Sequence, residues 1–354
     1  MIEKPLKHDA RLIDAVRAIE FSHRRIAVVV DSNNRLRGTL TDGDIRRHLL
    51  AGGGMESQVA DVMNADSLSA NESSSKGHIE YLMRSKNIVA IPILDADGKY
   101  LRLVHRSDLV KTNSHSKTSV GFRFAVIMAG GEGTRLRPLT ATIPKPMVEI
   151  GGVPLIARQI QMLADVQIPR IYISINYLGH VIEDYFGNGD RFGIEIKYIR
   201  EREKKGTAGA ITLLPEEPDG PFIVMNGDIF TTFDFESLYR YHVAHNATVT
   251  MAGIDHQINI PYGVIQSEGS RVTSLIEKPS QRFLCNAGIY ALSPEALQHL
   301  SKNAYSNMTD LIEICLSKRI PVAVFPVYEY WNDVGTLADL EKARSYFFSS
   351  EVDK

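Results

Sequence analysis

With 354 residues the chain is long enough for two domains, each with a full core. Its formal charge of −2 leaves no broad basic field for a nucleic acid or an anionic membrane, so any phosphate binding must be local. Two cysteines without metal-like spacing, Cys285 and Cys315, argue against a disulfide scaffold, and no apolar run reaches bilayer length, which together lead us to expect a cytoplasmic protein.

The first third of the chain holds a diverged repeat. IAVVVDSNNRLRGTLTDGDI (26–45) reads as a buried strand, a turn, a second strand and a helix entry, and VAIPILDADGKYLRLVHRSDL (89–109) repeats that order. Asp31 corresponds to Asp95 and Asp44 to Asp108, both 64 positions on, and each copy follows a segment of helical period. The pattern resembles a tandem pair of CBS modules, with copies at about 1–56 and 57–115. The resemblance implies an adenine-nucleotide site at Thr41 and Asp44 in the first copy, where Gly38, Thr41 and Asp44 keep the G-x-x-T-x-x-D pattern. The second copy departs from it, with Arg102 and His105 at the glycine and threonine positions; a module used only for dimerisation is the alternative. CBS pairs commonly associate, so a homodimer or higher assembly is expected. The polar, aperiodic residues 116–121 read as a linker to a second domain at 122–354.

That domain opens on an apolar strand, FAVIMA, running into MAGGEGTRLRPLTATIPKPM (128–147). Glycines at a strand end let backbone N–H groups approach an anion, and Arg135, Arg137 and Lys145 add charge. The loop lacks the Gly-Lys-Ser/Thr of a P-loop and the third spaced glycine of a dinucleotide fingerprint. Downstream, helical and strand periods alternate: PLIARQIQMLADVQI, RIYISIN, VIEDYFGNG, GIEIKYI, FIVMNGD, ESLYRYHVAHN and ATVTMAGI. This rhythm predicts an α/β domain with a mostly parallel, Rossmann-like central sheet and ligands at the strand C-terminal ends.

Asp228 ends one such strand and Asp333 lies in YWNDVGT; Mg²⁺ takes only one or two carboxylates from a protein, and these are the pair expected to hold it. PYGVI, LIEKP and CNAGIYAL offer Gly263, Glu277, Lys278 and Asn286, with Asn286 expected just before a strand, as paired donors and acceptors for sugar hydroxyls. EREKKGTAGAI resembles the nucleobase loop of guanylyltransferases, and there an ionised Glu201 would suit the two adjacent donors of guanine, with Glu203 as the alternative reader.

The string GGxGTRLRPLT with PKPM resembles the sugar-1-phosphate nucleotidyltransferases, which have a GT-A-like fold, over residues 122–354. The resemblance implies that Ala129, Gly130, Gly131, Gly133 and Thr134 cradle the triphosphate of GTP, and that Glu201, Gly206, Thr207 and Ala208 hold the base. It further implies that Arg135 and Lys145 bind phosphates, that Asp228 and Asp333 hold Mg²⁺, and that Asn226, Gly263, Glu277, Lys278 and Asn286 hold the sugar. With CBS modules ahead of it, the chain resembles the guanylyltransferases that act on glucosamine 1-phosphate in bacterial legionaminic acid synthesis. Mannose-1-phosphate guanylyltransferase and uridylyl- or thymidylyltransferases are the alternatives, and a nucleotide sensor without turnover is the answer of another class.

Overall fold

A computed structural model describes residues 4–22, 25–74, 76–86, 88–106, 121–302 and 304–352. The chain divides into two compact units, Met1–Ser116 and Lys117–Lys354, each with its own core. The expected linker lies outside the described residues except for Gly121, as does Asp108.

In the smaller unit both repeat copies build the same three-stranded sheet. Leu6–Lys7 pairs parallel with Ile26–Val30, which pairs antiparallel with Leu36–Thr41; Ala70–Asn71, Ala90–Leu94 and Tyr100–His105 repeat the arrangement. The matched aspartates do the same work in each turn. Asp31 Oδ1 accepts the N–H groups of Asn33 and Arg35, both at 2.9 Å, and Asp95 Oδ1 accepts those of Asp97 at 2.9 Å and Lys99 at 2.8 Å. The copies join through these turns, where Asn34 Nδ2 donates to Tyr100 O and Tyr100 N–H to Asn34 O, each at 2.9 Å.

The larger unit is organised by a seven-stranded sheet in the spatial order Glu195–Arg200, Arg170–Ile175, Ala125–Met128, Phe222–Asn226, Ser280–Leu292, Val249–Asn259, Val322–Val327. All its strands are parallel except Ser280–Leu292. Because side chains alternate across a strand, each central strand feeds two cores. Ala125, Ile127, Ile171 and Ile173 meet the helices Leu155–Asp165, Gly179–Phe186 and Phe235–Ala244, whereas Val126, Tyr172 and Val224 meet the helix Met308–Ser317. Burial on both faces explains why these strands read as continuous apolar runs.

The order of strands reverses between Ala125–Met128 and Phe222–Asn226, the position at which open α/β sheets present ligands. Two features depart from the expectation. The strands Val249–Asn259 and Ser280–Leu292 run well past the sheet as a two-stranded arm, beside a hairpin of Val264–Glu268 and Arg271–Ile276. Asn286 therefore sits inside a strand rather than just before one, because cross-strand pairing continues from Ser280 through it. Among the described residues no helix is long and apolar enough to cross a membrane.

Candidate functional site

At the reversal point the strand Ala125–Met128 delivers the glycine loop and the strand Phe222–Asn226 delivers Asp228. The loop is fixed from behind: Ala129 N–H donates to Ser174 O at 2.8 Å, and Thr140 Oγ1 donates to Gly133 O at 2.7 Å. Gly133 has a φ of +60°, and a methyl there would come 2.8 Å from Lys145 Cβ, so both backbone and space demand glycine. A methyl on Gly130 would lie 3.3 Å from Glu201 Oε1, whereas Gly131 faces open space, and Thr134 and Arg135 are exposed.

Lys145, held in a single turn between Pro144 and Pro146, is only 8% exposed. Its Nζ is hydrogen-bonded to Asp228 Oδ2 and stands 3.6 Å from Asp333 Oδ1. The two aspartates, far apart in sequence, meet because Ile229–Thr231 pairs antiparallel with Trp331–Asp333, with Ile229 opposite Asp333. Val334 N–H also donates to Asp228 O at 2.9 Å. Burial, and then the negative charge of Asp228, push the Asp333 carboxyl above the usual carboxylate range, against the pull of Lys145 and Arg135. The guanidinium of Arg135 lies over this loop, 3.4 Å from where a methyl on Gly335 would stand.

Asp333 Oδ1 is buried and accepts no hydrogen bond from the described residues. Beside a second carboxylate, such an orphaned oxygen suits a hard divalent cation, which would also quench the repulsion between the two acids. Asp228 and Asp333 thus fit Mg²⁺; no group of three or more potential ligands occurs among the described residues.

The loop after Glu195–Arg200 closes one side. Glu201 Oε1 accepts from Ser174 Oγ at 2.6 Å and Oε2 from Lys205 N–H at 2.9 Å, while Asn176 Nδ2 donates to Glu201 O at 2.8 Å. Glu201 is thereby locked against the glycine loop, with one lone pair of each carboxylate oxygen committed. Glu203 points to solvent, 3.8 Å from Lys205 Nζ. Lys204 donates to Glu132 Oε1 at 2.6 Å, tying this loop to the glycine loop and holding the Glu132 carboxyl below the usual range.

The rest of the GTAG segment has close partners within the chain. Gly206 has a φ of +75° and packs so closely on the chain at 306–307 that a methyl would come 2.5 Å from Ser306 O. Thr207 Oγ1 accepts from Met308 N–H at 2.9 Å, capping a helix, and Ala208 is fully buried with its N–H on Ser306 O at 2.9 Å. The Thr207 and Ala208 side chains thus pack internally, while the Glu201 carboxylate lies beside Gly130 of the glycine loop.

The sugar candidates form two clusters. Gly263 and Glu277 adjoin across the hairpin, a methyl on Gly263 falling 2.8 Å from Glu277 Oε2, and Lys278 follows at a φ of +44°. Asn226 lies against Gly288, and Asn286 spends both side-chain atoms internally, accepting from Gly288 N–H at 2.9 Å and donating to Tyr290 OH at 2.7 Å. In the smaller unit Thr41 donates through N–H and Oγ1 to Asp44 Oδ2 at 2.8 and 2.6 Å, a capping box for the helix Asp42–Leu50. A nucleotide there would have to share Asp44 with that cap.

Sequence reasoning missed Gln159. It is 2% exposed on the helix Leu155–Asp165, and its Nε2 donates to Asn226 O at 3.0 Å and Ile229 O at 2.8 Å, on either side of Asp228. A glutamine in the middle of the apolar stripe of PLIARQIQML was the available signal.

The nucleotidyl transferase family matches residues 124–349, and the CBS domain matches residues 4–51 and 59–114. Mannose-1-phosphate guanyltransferase of Yarrowia lipolytica is 34% identical over 234 residues, 64% of this chain and 64% of that protein. A probable mannose-1-phosphate guanylyltransferase 1 of Oryza sativa subsp. japonica is 33% identical over 226 residues, 61% of this chain and 62% of that protein. The crystal structure of HddC from Yersinia pseudotuberculosis shares the fold with a TM-score of 0.50 and 27% identity, over 64% of this chain and all of that one. The chain spans less than two thirds of the length of the relatives it matches.

Proposed function

Because the chain belongs to the nucleotidyl transferase family, we propose that its larger unit transfers a guanylyl group from GTP to a sugar 1-phosphate, releasing pyrophosphate. The observation that carries this reading is the meeting of Lys145, Asp228 and Asp333 beside the glycine loop, at the point where the strand order reverses.

An oxygen of the sugar phosphate attacks the α-phosphorus, a new P–O bond forms, and the bond to the β-phosphate oxygen breaks. The nucleophile is already anionic near neutral pH, so the protein needs no dedicated base. Its task is alignment and neutralisation of charge. Mg²⁺ held by Asp228 and Asp333 would supply positive charge against the triphosphate. Lys145 turns from its aspartates to the α-phosphate and the incoming phosphate, and Arg135 receives the departing pyrophosphate. The backbone N–H groups at Gly130, Gly131 and Gly133 line the triphosphate. Glu201, held rigid by Ser174 and Lys205, offers its remaining lone pairs to guanine N1–H and the exocyclic amine.

For the acceptor we favour glucosamine 1-phosphate, on the resemblance of a CBS-fused enzyme of this kind. The names of the relatives support mannose 1-phosphate as the second reading. The test is pyrophosphate release with Mg²⁺, pairing GTP, ATP, UTP, dTTP and CTP with the 1-phosphates of glucosamine, N-acetylglucosamine, mannose and glucose. Turnover confined to GTP is expected, and the better sugar decides between the two acceptors. Preference for a pyrimidine nucleotide would overturn the role of Glu201, and no turnover from folded protein would overturn the activity.

A further inference from the structure

We propose that Gln159 is a positioning residue that fixes the aim of Asp228. A buried amide has to justify its desolvation, and half of this one does not: Oε1 accepts no hydrogen bond from the described residues. The donor half does, since one nitrogen bridges the carbonyls of Asn226 and Ile229, two residues before Asp228 and one after it. Carbonyl dipoles converging on one point repel, and a donor between them holds the turn closed. The helix Leu155–Asp165 is itself anchored in the core by Ile156, Ile160 and Leu163, so the amide ties the turn to a rigid support.

Other contacts hold the same turn from the side of the strands. Gly227 N–H donates to Met128 O at 2.9 Å, and Val334 N–H to Asp228 O at 2.9 Å. They fix how high the turn stands along the sheet and its distance from Asp333. Gln159 alone among these approaches from the helical layer and resists rotation of the turn about its strand. Such a rotation would swing Asp228 away from both Lys145 and Asp333.

The inference rests on the nucleotidyl-transfer reading of Asp228, and the experiment separates the two. Gln159→Met keeps the shape and removes the donor together with the orphaned acceptor; Gln159→Leu is a second apolar replacement. Ile160→Val, a fully buried neighbour on the same helix, is the control for general loosening of the core. In full-length protein, Gln159→Met should lower kcat at least tenfold with KM for the nucleotide changed less than threefold, while the control stays within twofold of the parent. Exchange of the Gly227 and Val334 amide protons should be at least tenfold faster in Gln159→Met than in Ile160→Val. Parental kcat in a folded Gln159 variant would overturn the proposal. If the parent chain turns over no substrate pair, the activity reading fails and amide exchange alone decides: exchange equal to the control's would overturn the positioning role, and selective acceleration would support it.

Discussion

At the residue scale the site is a compact charge balance, with one buried cation between two carboxylates and a second cation above them. Removing Lys145 leaves the aspartates facing each other without their buried counter-charge and, in the proposed reaction, deprives the transferring phosphoryl group of its nearest cation. Lys145→Ala should therefore lower kcat by about 100-fold or more, roughly 3 kcal/mol of transition-state stabilisation, as measured by pyrophosphate release. Circular dichroism should show the variant folded. For Glu201 the prediction concerns choice rather than rate. Glu201→Gln exchanges one acceptor for a donor that opposes guanine N–H and also disturbs the bond from Ser174 or Lys205. The ratio of kcat/KM for GTP over UTP should fall at least tenfold, on the order of 1–2 kcal/mol for a mispaired group.

At the scale of single elements, the buried contact of the helix Phe235–Ala244 with the sheet carries a pH dependence. Ser293 Oγ donates to Ala247 O, so it accepts from His242 Nε2–H, leaving Nδ1 to accept from Thr250 Oγ1 at 2.8 Å. The ring is neutral in this network, and burial pushes its pKa from 6.5 down to about 4, against the attraction of Glu295. The unfolded chain takes up that proton first, so stability is full above pH 6.5 and falls as pH drops through 4. The contribution lost is about 3 kcal/mol. Urea titrations at pH 7 and pH 4 should show a larger loss in the parent than in His242→Gln.

Elements also show where the sequence was informative. The glycine loop, Lys145 and Asp228 were legible because they follow apolar strands, whose ends in an α/β sheet converge on one edge. The repeat was legible because Asp31 and Asp95 perform a local job, bonding amides two and four residues on. What stayed hidden depends on distant partners. Thr207 caps a helix that begins at Met308, which no local pattern announces, and Gln159 bonds a turn beyond Asn226, which its place in an apolar stripe marks as unusual without naming the partner. A glycine reports close approach without saying to what, so the GTAG string alone does not separate a ligand from the chain's own backbone. In Gly206 the approach is to Ser306 O, so Gly206→Ala should cost more than about 1 kcal/mol in unfolding free energy from the strained φ and the clash.

At the scale of the whole molecule, the two units have separate cores. Ile91 is fully buried in the smaller unit with Ile79, Met83 and Ile93. Ile91→Ala should destabilise that unit by about 2–5 kcal/mol, seen by calorimetry as a lowered transition temperature for that unit. Pyrophosphate release by the larger unit should stay within twofold of the parent at temperatures where the smaller unit is still folded.

The pairing of Ile229–Thr231 with Trp331–Asp333 sets a timetable for the growing chain. Synthesis runs from the N-terminus, and domains fold as their residues emerge. The glycine loop, the Glu201 loop and Asp228 all leave the ribosome long before the strand that brings Asp333. Until that late strand docks, a nascent chain can build most of the sheet yet lacks the second carboxylate. The proposed nucleotidyl transfer, which calls on both carboxylates, is thereby withheld until almost the whole unit has been made.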